Sequence, residues 1–441
     1  MNSLITLMRT IVGPTAVIAA GTMGAGAVAS FLLAGAWFRY DLLWVILLML
    51  PVFVVSTDTA SRIGFLNARE GMFSLIRRQV HPGVAWFLLL VNVPVHFLIV
   101  MGQMSVMTSA LMSVFGFHPP GVEAGADYVQ GYRVAEIVLS LVCGAAILWL
   151  VLAQGYERMQ KAMSLLMVLM FICFLTVALR GLSELPDILA GFIPQMPDDL
   201  PRSGGAEPRV ATSSIIAMVG AAIAPAALLG MPYLRADDDS PDRDLGRDLR
   251  NSVVNLGVIF GAYAIFIVIA GGFALHPLAN HAEIEAVHQA SGVLQGAFPE
   301  ALAFAGPTIF SLGVFMAAVT TLVVAAQLSV YFSLDMLGRN WRFTTDNRLY
   351  HRVLIAFVMG AAALAPFWSF PALLKVILLM GINVVVIPLV FVIVIYLVNR
   401  RSVVGGHTAE WWRNALLAAG LATSIALAVD KVPHYLSLLL P

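Results

Sequence analysis

Two short segments place helix-weakening residues inside apolar surroundings: Gly21-Thr22-Met23-Gly24-Ala25-Gly26-Ala27 and Gly220-Ala221-Ala222-Ile223-Ala224-Pro225-Ala226-Ala227. Closely spaced glycines each weaken a helix by about 1 kcal/mol relative to alanine, and a proline removes a backbone donor and clashes with the preceding turn. A helix interrupted in a membrane exposes carbonyls and amides that protein, water or a bound solute must satisfy. Amide ends favour anions and carbonyl ends favour cations. The expected chemistry is therefore solute binding by backbone at Thr22, Met23, Gly24, Ala25, Gly26 and Ala27 and, facing them, Ile223, Ala224, Pro225, Ala226 and Ala227. The alternative is that these small residues only let helices pack closely.

Few titratable side chains accompany them. His96 sits in a long apolar run, and Asp58 and Asp335 lie near the ends of others. His96 is a candidate proton relay because its charge changes near neutral pH; the simpler expectation is a neutral histidine bonded to a neighbouring helix. Asp58 and Arg62, four residues apart, are expected to form an ion pair. Met101, Met104 and Met107 recur every three residues. Thioethers select monovalent copper, but they also fill irregular gaps between helices, and packing is the expected role. His276, His281, His288, Glu283 and Glu285 crowd one loop without tight ligand spacing, and Asp237 to Asp244 reads as a solvated turn. Gln103 and Asn383 are polar candidates for contact with a solute; Ser30, Asn92, Ser311, Thr320 and Gln327 join them or act as interhelical glue. No metal-ligand set, cofactor motif, P-loop or HExxH helix is present, so neither an enzyme nor an ATP-driven pump is expected.

The elements that carry these residues follow from composition. Of 441 residues, 60% are hydrophobic and 11% charged, with a mean hydropathy of +0.89, whereas a soluble domain is roughly half apolar and a quarter charged. The partner implied is a lipid bilayer, and 25 basic against 25 acidic residues give no basic surface for nucleic acid. Cys143 and Cys173 lie in apolar runs and read as packing residues. A span needs roughly 20 apolar residues. Runs near 12–36, 41–60, 84–115, 134–153, 161–180, 211–234, 252–274, 300–332, 352–370, 372–398 and 410–430 supply eleven. Eighteen of the 25 Lys and Arg fall on one set of alternating loops, which predicts a cytoplasmic N-terminus and an outside C-terminus in an inner (plasma) membrane. Arg9 before the first run, with no small-residue cleavage site, reads as a retained N-terminus.

The two interruptions occupy corresponding places in two five-helix halves of opposite topology, the sequence pointer to a transporter's central site. The expected division is a first repeat over 1–180, a loop over 181–210, a second repeat over 211–398 and a further helix over 399–441.

Several stretches resemble NRAMP divalent-metal transporters. Gly13-Pro14 before the first interruption, Asp41 to Leu48, Thr59-Ala60-Ser61-Arg62-Ile63-Gly64 with Arg69-Glu70-Gly71, Tyr156 to Met163, and Ile387-Pro388-Leu389 carry the likeness. It implies an all-α membrane protein of the LeuT-type fold, with two inverted five-helix repeats, an eleventh helix and alternating access around helices one and six. The family's first-helix Asp-Pro-Gly-Asn motif falls over Gly24-Ala25-Gly26-Ala27, its Met-Pro-His motif over Ala224-Pro225-Ala226, and its third-span acids over Val100 and Gln103. Only the glycine and the proline remain. A transition metal needs carboxylate, imidazole or thioether ligands, which alanine cannot supply. The reading is thus a secondary transporter whose cargo has diverged to a magnesium-like hydrated cation or a small organic solute. Divalent-metal transport through carbonyls and water, and a non-transporting receptor or scaffold, stay open beside it.

Overall fold

The computed structural model describes residues 14–68, 70–117, 125–237, 244–278, 280–284, 305–344, 346–368 and 372–439. Side chains within 153–164 and most of 372–384 are outside that description, Asn383 among them. Long runs of Leu, Val, Ile and Ala leave no polar face, so helices bury their backbone bonds internally and pack all round. Among the described residues no strand forms beyond one isolated bridge, Leu200 to Arg209.

The first span is two helices, α1 (Pro14–Thr22) and α2 (Ala25–Phe38), bent by 50°. Then come α3 (Leu43–Leu66), the short α4 (Met72–Gln79), α5 (Pro82–Val114) and α6 (Ala126–Ala178). The second half has α7 (Ala211–Ala222), α8 (Pro225–Asp237), α9 (Leu245–Ser252), α10 (Phe260–Ala274), α11 (Ala305–Met336), α12 (Arg348–Leu364), α13 (Ala372–Val398) and α14 (Trp411–Leu439). Among the described residues, eight helices are long and apolar enough to cross a membrane, or nine with the bent pair.

Spans expected at 134–153 and 161–180 fall on one helical stretch, α6, of 53 residues. Its two ends pack on different helices. Ser140 donates to the Ala362 carbonyl at 2.6 Å, at the far end of α12, and Leu152 shares a groove with Ile355 nearer the start of α12. Phe174 packs on Phe310, near the start of α11, at 5.9 Å between ring centroids. Of this stretch, Ala126–Leu152 is long and apolar enough to cross a membrane, and the second span expected at 161–180 falls in part on side chains outside the described residues.

A π-helical segment, Val253–Ile259, joins α9 to α10 beside α1, and its Asn255 Nδ2 donates to Thr15 Oγ1 at 2.9 Å. The core is apolar and continuous. α2 meets α10 so closely that a Cβ on Gly35 would sit 2.2 Å from the Val268 carbonyl oxygen, which only a glycine permits.

A candidate transport site between two interrupted helices

The first interruption falls at Met23 and Gly24. Gly24 caps α2 in an extended conformation without a side-chain cap, and Val28 is the first amide to bond back, to the Gly24 carbonyl at 2.9 Å. The amides of Ala25, Gly26 and Ala27 have no acceptor within their own helix. On the other side of the gap, Thr321 of α11 donates to the Gly21 carbonyl at 2.5 Å. A Cβ on Gly24 would overlap that threonine, 1.2 Å from its Oγ1. The second interruption is milder. Ile223 leaves helical geometry (φ −98°, ψ 58°), Pro225 opens α8, and Ala227 donates back to Ala224 at 3.0 Å.

Between the gaps lies a cavity of about 50 Å³. Seven of the residues read from sequence line it: Thr22, Gly26, Ala27, His96, Ala224, Ala226 and Ala227. Met23, Gly24, Ala25, Ile223 and Pro225 are buried beside it and do not line it. Gln103 is not part of the cavity either. It is fully buried on α5, and neither atom of its side-chain amide has a partner. Ile18, Ile99, Thr321, Val324 and Leu328 complete much of the wall. The α11 members lay beyond reach of the sequence because α11 has no interruption to mark it.

Among the described residues, the lining contains no carboxylate, lysine, arginine or thioether; its polar side chains are Thr22, Thr321 and His96. Among the described residues, no group of three or more His, Cys, Asp and Glu is placed to hold a metal ion. His96 is 1% exposed, its Nδ1 lies 3.1 Å from Ser329 Oγ of α11, and its Nε2 has no partner.

Several expected contacts are redrawn. Asp58 does not pair with Arg62. Arg413 at the start of α14 donates to Asp58 at 2.5 Å, to Thr59 at 3.1 Å and to Glu410 at 3.0 Å, and Arg62 pairs with Glu410 at 3.3 Å. A partner from a distant helix displaces the i,i+4 one because Arg413 is fully buried and cannot be solvated otherwise. Asp335 caps α4 from another helix, accepting from the amides of Phe73 and Ser74 at 2.9 and 3.1 Å and from the Tyr233 hydroxyl at 2.5 Å. Ser30, Asn92 and Thr320 bond carbonyls of their own helices, not neighbouring ones. Met101, Met104 and Met107 are buried in the core. His276 donates toward the Ala36 carbonyl, and Glu283 pairs with Arg202 at 3.1 Å. His288, Glu285 and the stretch 238–243 lie outside the described residues.

A bundle built around a small cavity between two interrupted helices is a membrane transporter fold. The sequence profile described as natural resistance-associated macrophage protein-like matches residues 15–432, and the chain belongs to that family. The fold is similar to the manganese transporter of Eremococcus coleocola in complex with an aromatic bis-isothiourea substituted compound. The TM-score is 0.71 and the identity 14%, covering 95% of this chain and 85% of that one. A mutant of the same transporter gives a TM-score of 0.69 at 16% identity over the same shares. MhsT in complex with L-phenylalanine gives 0.62 at 13%, covering 95% of this chain and 97% of that one. No curated protein matches the chain. These likenesses place the molecule in the LeuT-type fold.

Proposed function

We propose that this chain is a secondary transporter working by alternating access around the α1/α2 and α7/α8 interruptions. Its cargo is a small organic solute or a magnesium-like hydrated cation, not a bare transition metal. The observation that carries the reading is the cavity's lining: three polar side chains, none anionic. A dehydrated divalent ion at mid-membrane costs several kcal/mol beyond what such a wall returns, whereas a solute that keeps its own polar shell or carries no net charge needs no carboxylate. Backbone carbonyls at the interruptions, that of Ala224 in the wall and those of Met23, Gly24 and Ile223 buried beside it, would serve as ligands to a largely hydrated cation.

Sidedness follows the charge bias. The face bearing Arg62, Arg77, Arg235, Arg342 and Arg413 is cytoplasmic, the N-terminus lies on that side and the C-terminus outside, in an inner membrane. The two inverted repeats, 1–180 and 211–398, rock against each other, with 399–441 as an added helix.

A second reading, divalent-metal transport through carbonyls and water, is supported by family membership and by similarity to a manganese transporter. Proteoliposomes loaded with a manganese-quenched dye or a magnesium-sensitive dye separate the two. Saturable manganese uptake above empty vesicles would overturn the first reading; uptake of magnesium or a labelled organic solute without manganese supports it.

A further inference from the structure

The hydrogens around the cavity can be assigned from distances alone. Ser329 Oγ lies 2.7 Å from the Ala325 carbonyl oxygen, a separation two lone pairs do not tolerate, so its single hydrogen is spent there. The 3.1 Å contact between Ser329 Oγ and His96 Nδ1 must then be N–H to O, with histidine the donor. That fixes the tautomer and leaves a lone pair on Nε2, which is buried and without a partner. Thr22 spends its hydroxyl hydrogen on the Ile18 and Ala19 carbonyls at 2.8 and 3.0 Å, and Thr321 spends its own on Gly21. All three polar side chains of the wall therefore offer only acceptors. Donors come from the other side, where the amides of Gly26 and Ala27 open α2 with no side-chain cap. α8 contributes less, because Pro225 has no N–H and Ala227 bonds back to Ala224.

A ligand that satisfies this wall carries a donor for His96 and an oxygen for the α2 amides. It also carries no net charge, since the lining holds no countercharge, and separated full charges would each have to be solvated by neutral dipoles. The volume open to water centres is about 50 Å³, where roughly 10–15 Å³ admits one water, so the ligand is limited to a few heavy atoms, the size of formamide, acetamide or urea. We propose that the cavity is a site for small neutral amides, with His96 Nε2 accepting the amide N–H and the first turn of α2 donating to its carbonyl oxygen. This deepens the transport reading above and rests on it.

Equilibrium binding of radiolabelled acetamide and urea to the purified full-length protein tests the assignment, with glycine, methylammonium chloride and magnesium chloride as competitors. Saturable amide binding that none of the three displaces is expected. His96→Leu should weaken it about tenfold or more by removing the acceptor. His96→Gln, whose Oε1 can take the place of Nε2, should stay within about threefold of wild type. Ser329→Ala, which frees the ring to adopt the other tautomer, should fall between them, and it serves as the folded control if His96→Leu does not melt cooperatively. Absence of amide binding, equal affinity in His96→Leu and wild type, or displacement by glycine or methylammonium would overturn the amide assignment. Flux in proteoliposomes is read separately. Magnesium flux without amide binding keeps the transporter and removes this ligand class; amide binding without flux of any solute keeps the site and removes the transporter.

Discussion

The centre of the bundle and its basic face share α8 and α11 and treat charge in opposite ways. At the centre, α1, α2, α8, α5 and α11 enclose a wall of alanine, glycine and branched aliphatics with no carboxylate, lysine or arginine among the described residues. Elsewhere on α3, α8, α9, α11 and α14, carboxylates and guanidinium groups are buried in the protein interior. Asp58 is 2% exposed and Arg413 0%, Arg235 is 3% exposed and donates to Asp248 at 2.8 Å, and Asp335 is 3% exposed. An aromatic chain links the two regions, since His96 packs on Phe332 at 5.7 Å and Phe332 on Tyr233 at 5.6 Å, whose hydroxyl reaches Asp335. In this molecule, buried charge fixes helices to one another and the cavity does without it. Burying an ion is tolerable where its partner is anchored, and the cavity holds no such partner.

The sharpest way to break the contrast is to strip one member of the basic-face network. Arg413→Ala leaves Asp58 buried and unpaired, which costs about 3–5 kcal/mol. Thermal melting in detergent should show the largest loss of any variant here. The double variant Asp58→Leu with Arg413→Met should recover most of that loss, because an apolar pair of similar volume replaces two desolvated ions. If the double variant is as unstable as the single one, the pair does more than hold α3 against α14.

Next in size is the close approach at the cavity's edge. Gly24→Ala places a methyl group on Thr321 Oγ1 and Cβ, the latter 2.3 Å away, and overpacking of this kind costs about 1–3 kcal/mol. Thr321→Ala in the same chain should relieve part of it, giving a non-additive cycle in melting temperature. Additive losses would mean that α2 and α11 do not share this contact. Smaller again is Tyr233→Phe, which removes one hydroxyl from Asp335 while the Phe73 and Ser74 amides still hold the carboxylate. A loss of about 1 kcal/mol is expected, and a loss several times larger would show that the hydroxyl, not the amides, carries the anchor.

Helices, interruptions and half of the cavity wall were legible in the sequence because clustered glycine, and proline, weaken a helix locally, as at Gly24 and Pro225. What escaped was set by distance. Thr321 lies some 300 residues from the Gly21 carbonyl it caps, and nothing in its own helix distinguishes it from Thr320, whose hydroxyl turns back to Ala317. Arg62 stands at helical spacing from Asp58, yet the carboxylate takes Arg413, because spacing along one helix cannot weigh a competitor brought in by another. Gln103 matched the cavity residues by type and span, but facing direction on an apolar helix has no periodic signal when every face is buried.

The smallest expected effect concerns the face opposite the basic one, where titratable groups stand at the end of α2. The His276 ring lies against the Ala36 carbonyl and 4.5 Å from the His281 ring. Burial holds its pKa below the usual 6.5; the Ala36 bond and Asp41 oppose that shift, and His281 and Arg39 add to it. Below pH 6.5 the unfolded chain therefore takes up a proton that the folded one refuses. His276 contributes stability that is complete above pH 6.5 and declines as the pH falls toward its lowered native value. Asp41 acts in a separate window. Burial raises its pKa above 3.8, so its contribution is present below that value and fades as the pH rises. The melting temperature should thus drop between pH 7.5 and 5.5 in the native protein, and His276→Gln should flatten that part of the profile. A slope unchanged by the substitution would place the acid sensitivity elsewhere. Glu283 and Glu410, both with lowered pKa values, lose stability only as the pH falls below 4.5 and cannot produce a slope in this range.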